Sequence, residues 1–204
     1  MNTTKKENVL FLREEYAEGE GTFKYPDGGK YEGQWKNGEK CGWGIETLPC
    51  GEKYIGLWSN GKRNGKGVET FSDGQKYAGN WQDGERLGKG IYTWPSGSKF
   101  VGDFKKWDLN GFGVFTFPDG SRYEGEFKDG EFHGIGNKTE KDLGKYEGHW
   151  KNGEMDGKGS LTFHNGYNIT GEWKEGSPKS GTASWPNGNK YEGKFKDWEW
   201  NGQG

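Results

Sequence analysis

The sequence predicts an all-β protein: an elongated, single-layer antiparallel sheet built from tandem β-hairpin repeats of 23 residues. Three observations carry this expectation. A 23-residue pattern, cleanest at 54–76, recurs in phase through most of the chain. Only 28% of residues are hydrophobic, yet 40 glycines, 11 Trp, 10 Tyr and 12 Phe recur at regular spacing. So few apolar residues would fit a disordered chain, but a periodic stock of aromatics fits an ordered protein with a thin aromatic core. Finally, copies carry an Asn-Gly or similar pair midway, as at Asn60-Gly61. That pair is a strong signal for a two-residue type I′ hairpin turn.

Taken in order, residues 1–15 lie outside the repeat. Met1 to Asn8 is polar, and Val9-Leu10-Phe11-Leu12 is expected either to cover the first sheet edge, which needs protection, or to bind a partner. The array occupies 16–204, with a half repeat at 19–30 and full copies starting at Tyr31, Tyr54, Tyr77, Phe100, Tyr123, Tyr146 and Ile169. The copy from Ile169 is one residue short, and a partial copy runs from Tyr191 to Gly204. A natural array usually ends in an atypical cap. Stopping in mid-copy therefore implies that the protein continues past Gly204 or that this chain was cut there.

Within a copy, Tyr54 to Ser59 alternates like a strand, Asn60-Gly61 turns, and Gly65 to Phe71 returns. Ser72-Asp73-Gly74 leads into the next copy, as Pro26-Asp27-Gly28 and Pro118-Asp119-Gly120 do elsewhere, which is turn chemistry. Extending a regular ladder from the Asn-Gly turn puts Gly56 opposite Gly65 and Tyr54 opposite Gly67. Tyr54, Gly56 and Trp58 then share a face with Gly65, Gly67, Glu69 and Phe71. The rings are expected to lie across the glycines, where no Cβ intervenes. At about 4.8 Å between strands, each hairpin advances the sheet by roughly 10 Å.

At this point the residues resemble a known family. Tyr146-Glu147-Gly148-His149-Trp150-Lys151-Asn152-Gly153, followed by Gly157, Gly159, Phe163 and Gly166, is similar to the MORN repeat, and the pattern recurs throughout 19–204. The resemblance implies a sheet of successive hairpins and a non-catalytic role, as a scaffold in cytoskeletal, ciliary or membrane-junction assemblies, with phospholipid binding in some members. Several copies depart from the pattern. Trp107 and Trp198 replace the tip glycine, Glu140 replaces the last aromatic, Leu143 replaces a turn glycine, and Pro178 sits in the short copy. The sheet is expected to bend or loosen near 137–145 and 176–181.

Other functions find little support. The net charge of −2 argues against nucleic acid, whose binders carry a basic excess. Cys41 and Cys50 are too few for a disulfide framework and suggest a reducing, intracellular setting. No apolar run suits a signal peptide or a transmembrane helix. His133, His149 and His164 fall at three different places in the repeat, so no metal cluster is expected. No nucleophile elbow, P-loop or zinc-protease motif occurs. The expectation is a protein that is not an enzyme and needs no cofactor.

Two surfaces remain as candidates on the face opposite the rings. The second residue of a copy is usually Glu, as at Glu32, Glu124, Glu147 and Glu192, but is Ile55, Ala78 and Val101 in three successive copies. With Ile45, Leu57, Val68, Ile91 and Val114, these predict an exposed apolar strip, a common mark of a partner site. Its guests would be a helix, an extended peptide or another copy of the sheet, hence a homo-oligomer. The alternative is an anionic-lipid (phosphoinositide) surface made by Lys30, Lys53, Lys76, Lys99, Lys105, Arg122, Lys128, Lys145 and Lys151. The expected place is the cytoplasm, at the cytoskeleton or a cilium.

Overall fold

The computed structural model describes residues 18–201. The expected edge cover within 1–15 lies outside the described residues. Those residues form seventeen strands and no helix. They are β1 (Gly19–Lys24), β2 (Lys30–Lys36), β3 (Glu39–Thr47), β4 (Lys53–Ser59), β5 (Lys62–Thr70), β6 (Lys76–Gln82), β7 (Glu85–Thr93), β8 (Lys99–Lys106) and β9 (Asp108–Thr116). They continue as β10 (Arg122–Lys128), β11 (Glu131–Glu140), β12 (Gly144–Lys151), β13 (Glu154–Phe163), β14 (Asn168–Lys174), β15 (Ser177–Ser184), β16 (Lys190–Lys196) and β17 (Glu199–Asn201). Two compact units result: 18–95 with 105–107, and 96–104 with 108–201. In the first, β1 to β7 pair consecutively and antiparallel. In the second, β9 to β17 do the same.

The hairpin tips follow the sequence. Asn60 (φ 48) and Gly61 (φ 71) both turn left-handed, as a type I′ turn requires, and Asn37-Gly38, Asp83-Gly84, Asp129-Gly130 and Asn152-Gly153 match them. The Gly61 amide donates to the carbonyl of Lys40 in the preceding hairpin (3.0 Å), and Gly84, Gly130, Gly153 and Gly176 repeat this link. The turns between copies are closed by the Gly74 amide donating to the Phe71 carbonyl (3.0 Å) and the Phe71 amide donating to Gln75 (2.9 Å). The Asp73 carboxylate accepts from the Gln75 amide, which holds its pKa below the usual carboxylate value.

The register differs from a regular ladder. Ser59 pairs with Lys62 and Trp58 with Arg63, but Gly56 then pairs with Gly67 rather than Gly65, and Tyr54 with Glu69 rather than Gly67. A bulge at Asn64–Lys66 takes up two extra residues on β5, with Gly65 at φ 78. Because the slip is two residues, every side chain keeps its expected face. β3, β7, β11 and β13 bulge at the same place against the strand before them.

The rings do cover the glycines. A Cβ on Gly67 would lie 2.3 Å from the Tyr54 hydroxyl, and one on Gly136 equally close to that of Tyr123. The Tyr54 hydroxyl donates to the Leu57 carbonyl (3.0 Å) at the bulge, and Tyr31, Tyr77, Tyr123, Tyr146 and Tyr191 repeat the bond at i+3. Tyr31, Tyr54, Tyr123 and Tyr146 each meet two other rings edge to face. Tyr54 lies 5.1 Å from Trp58 and 5.3 Å from Trp81, and Tyr146 lies 5.1 Å from Trp150 and 5.3 Å from Trp173. This arrangement suits the ring quadrupole. It leaves Tyr31, Tyr54, Tyr77, Phe100 and Tyr123 without exposed surface.

The departures resolve in different ways. Trp198 adopts the left-handed tip conformation (φ 68), and its ring packs 5.6 Å from Trp173. At the other altered tip β8 runs on through Lys106 (φ 58), and Trp107 closes the turn 6.3 Å from Trp81. The short copy does not loosen at 176–181. Its missing residue comes out of the bulge, where Trp173 pairs with Pro178 and Gly171 with Gly181, so β15 stays paired on both sides. At 137–145 the ladder also stays paired, from Asn137 with Glu147 to Glu140 with Gly144, around a turn at 141–143, and a cavity lies alongside.

Candidate functional site

Alternation along each strand sends Ile55, Leu57 and Lys53 away from the rings of Tyr54 and Trp58. Pairing then fixes what lies beside what. Ile45 faces Ile55, Ile55 faces Val68, Val68 faces Ala78 and Ala78 faces Ile91, an unbroken cross-strand row in the first unit. Trp43 faces Leu57 one step along. Val68 is 40% exposed, Leu57 39%, Ile91 39% and Trp43 53%. Six of the eight residues predicted for the strip thus come together in one unit. Val101 and Val114 belong to the other, where Val114 faces Glu124.

Electrostatics distinguishes the same copies. In three of the four copies whose second residue is Glu, it pairs with the basic residue two places before it: Lys30 with Glu32 (2.7 Å), Arg122 with Glu124 (2.8 Å) and Lys145 with Glu147 (2.6 Å). Ile55, Ala78 and Val101 offer no carboxylate there, and among the described residues Lys53, Lys76 and Lys99 make no salt bridge. One substitution pattern therefore does two things: it builds the apolar row and it leaves cations uncompensated beside it. Lys105, Lys128 and Lys151 stand exposed near the tips. The predicted lysine ladder is consequently uneven, with Lys30, Arg122 and Lys145 neutralised locally.

Two features lie outside the sequence expectations. Trp43 stands exposed beside the row; the corresponding places hold Lys66, Lys89 and Lys158 in three other copies and the exposed Phe112 and Ile135 in two. The second is on the ring side of the first unit. Lys40 pairs with Glu46, Arg63 with both Glu46 (3.7 Å) and Glu69, and Arg86 with Glu69 (2.9 Å). Glu69 and Arg86 are each only 4% exposed. The Arg86 guanidinium lies 4.7 Å from the Tyr77 ring centroid, 4.8 Å from Trp107 and 5.0 Å from Tyr92, a cation–π environment that offsets part of its desolvation. For Lys40, burial pulls the pKa down, but the Glu46 hydrogen bond and charge outweigh it and leave the amine above its usual value. The network holds three cations and two carboxylates, and the buried Arg86 Nε has no hydrogen-bond partner among the described residues. The faces of the buried tyrosine rings are occupied by neighbouring side chains, so this stripe serves the packing of the sheet.

The family profile of the MORN repeat matches at residues 16–30, 31–51, 54–76, 77–99, 100–122, 123–139 and 146–166. A comparison with curated proteins finds no match. Among solved structures, the G-box domain of the microcephaly protein CPAP, for which a role in centriole elongation has been suggested, is similar with a TM-score of 0.51 and 11% identity. That match covers 84% of this chain and 90% of the other, and at such identity it concerns the fold alone. The Drosophila melanogaster SAS-4 TCP domain, in complex with a proline-rich motif of Ana2, scores 0.46 at 11% identity over 87% of this chain and 90% of that one. The Danio rerio CPAP TCP10 domain, in complex with a STIL peptide, scores 0.42 at 14% identity over 83% and 80%. With seven matched copies in phase with the strands, the chain belongs to the MORN-repeat family.

Proposed function

We propose that this chain is a non-catalytic scaffold that holds a protein partner on the exposed face of its first unit. One observation carries the reading: the row Ile45, Ile55, Val68, Ala78 and Ile91 is continuous across five strands and is bordered by the unpaired cations Lys53 and Lys76. An apolar strip with a basic border fits an acidic amphipathic segment, with apolar groups on the row and carboxylates at the lysines. Membership of a repeat family that works in cytoskeletal and ciliary assemblies supports placing the scaffold there.

The test is fluorescence anisotropy with an acidic amphipathic peptide of alternating Leu and Glu, against its Lys analogue. Saturable, salt-sensitive binding of the acidic peptide is expected, with loss on Ile55→Lys plus Val68→Lys. Equal binding of both peptides, or binding untouched by the double substitution, would sink the assignment. A second reading rests on the same unpaired lysines together with exposed Trp43: an anionic-lipid surface, to which each lysine near an acidic membrane would add about 1 kcal/mol. Flotation with phosphoinositide vesicles separates the two. Strong, salt-sensitive vesicle binding without peptide binding favours the lipid.

A further inference from the structure

The copy from Tyr123 lacks a ring that its neighbours have. Its eighteenth residue is Glu140, where other copies have Phe71, Trp94, Phe117, Phe163 or Trp185, and one has Leu48. In three copies that ring, Phe71, Phe117 or Trp185, packs on the tenth residue of the next copy. Phe117 lies 6.4 Å from Phe132 between centroids, and the Phe71 centroid lies 5.3 Å from the Arg86 guanidinium. The corresponding partner for residue 140 is Met155. Glu140 borders this space without filling it; its carboxylate pairs with Lys138 on its own strand.

What remains is a cavity of about 190 Å³ walled by Tyr146, Trp150, Met155 and Leu161. Three of these walls are almost fully buried, Tyr146 at 3%, Trp150 at 5% and Leu161 at 1% exposure. Leu143, Lys138 and Glu140 stand at its outer side and are partly or well exposed, so the space communicates with solvent. An apolar cavity of about 150 Å³ accepts benzene, so this one accommodates a phenyl ring. Its charged lining comprises two carboxylates, Glu140 and Glu154, and one ammonium, Lys138, which Glu140 already pairs. The excess negative charge favours a ring with a cation beside it over one with an anion.

We propose that this cavity binds one aromatic side chain of a partner polypeptide, flanked by a basic residue, which supplies in trans the ring that the chain's own repeat omits. The repeat itself identifies the occupant, because an aromatic ring on a polypeptide strand fills the corresponding place in the neighbouring copies. The site is on the ring side of the second unit and does not depend on the apolar row of the first.

The experiment titrates the protein with a capped Gly-Lys-Trp-Lys-Gly peptide, its Gly-Glu-Trp-Glu-Gly analogue and free tryptamine, following the methyl resonances of Met155 and Leu161. Two variants fill the cavity from within: Glu140→Phe restores the usual ring, and Glu140→Leu copies the Leu48 solution. Saturable methyl shifts are expected with the lysine peptide. Both variants should weaken its binding at least about tenfold while raising Tm by about 2–4 °C as the void closes. Absence of saturable shifts, or binding that both variants leave unchanged, overturns the proposal. So does tighter binding of the glutamate peptide, and so does binding of tryptamine without the lysine peptide, which would assign the site to a free small amine.

Discussion

In the first unit the tenth and sixteenth residues of successive copies are Lys40 with Glu46 and Arg63 with Glu69; in the second they include Leu109 with Phe115 and Met155 with Leu161. Both pairs occupy the ring side of the same hairpin, so the same frame is completed by a buried charge network in one region and by apolar packing in the other. The opposite faces differ as well. The first unit exposes an apolar row beside unpaired lysines, whereas the second alternates Glu124, Asn137, Glu147, Ser160 and Thr170 along the corresponding row. The frame of tyrosine, glycine and tryptophan therefore tolerates exchange of chemistry at the residues that do not cover the glycines. What distinguishes the two regions is that the first buries a charge network where the second packs Leu109, Phe115, Met155 and Leu161, and that it leaves lysines unpaired on its outer face.

The largest test of that comparison is Glu69→Ala, which removes the carboxylate partner of the buried Arg86 and leaves Arg63 with Glu46. Removing one member of a buried ion pair costs about 3–5 kcal/mol, and urea denaturation should show a loss of that size. Replacing the Arg63–Glu69–Arg86 part of the network by Arg63→Met, Glu69→Leu and Arg86→Met, the chemistry found at Met155 and Leu161, leaves Lys40 paired with Glu46 and should keep stability near wild type or above it, because well-packed apolar residues can substitute for a buried pair. A triple variant as unstable as Glu69→Ala would mean that the two regions are not interchangeable.

Smaller losses should strike both units alike. Gly67→Ala and Gly136→Ala each force a Cβ against a tyrosine hydroxyl, and each is expected to cost about 1–3 kcal/mol. If one were tolerated and the other not, the glycine-ring contact would not be common ground.

Alkaline pH offers a third comparison. Burial raises the Tyr77 pKa to about 12 although Arg86 pulls it down, and burial followed by the charge of Asp156 raises Tyr146 to about 12. The unfolded chain releases these protons near pH 10, so the native state binds more protons above that value and stability falls from about pH 10 through 12. Tyr77→Phe and Tyr146→Phe should each flatten that decline in a denaturation series at pH 9 to 12. The smallest effect is on the outer face. Ile55→Glu and Glu124→Ile should each change stability by no more than about 0.5 kcal/mol, yet Ile55→Glu should weaken acidic-peptide binding while Glu124→Ile leaves it intact.

Much of the frame was legible in the residues because each local rule pointed the same way. Asn60-Gly61 requires left-handed φ at both places, Tyr54 and Trp58 alternate with exposed residues, and Gly67 leaves room for a ring. The candidate strip was legible for the same reason, since a slip of two residues preserves face. The bulge at Asn64–Lys66 was not, because Gly65 marks a turn of the backbone without stating how many residues it absorbs. The exposure of Trp43 and the network from Lys40 to Arg86 are not legible in the same way. A charged residue read alone suggests solvent, and only its cross-strand neighbours show that Glu69 is buried between two guanidinium groups.

The sequence by itself determined the period, the hairpins, their tips and which face each side chain takes, because these depend on backbone φ preferences and a two-residue alternation. The tertiary structure decided the residue-to-residue register, the burial of Glu69 and Arg86, and the void beside Glu140. Each of those depends on distances between different copies of the repeat, and periodicity along one chain carries no measure of how closely neighbouring copies pack.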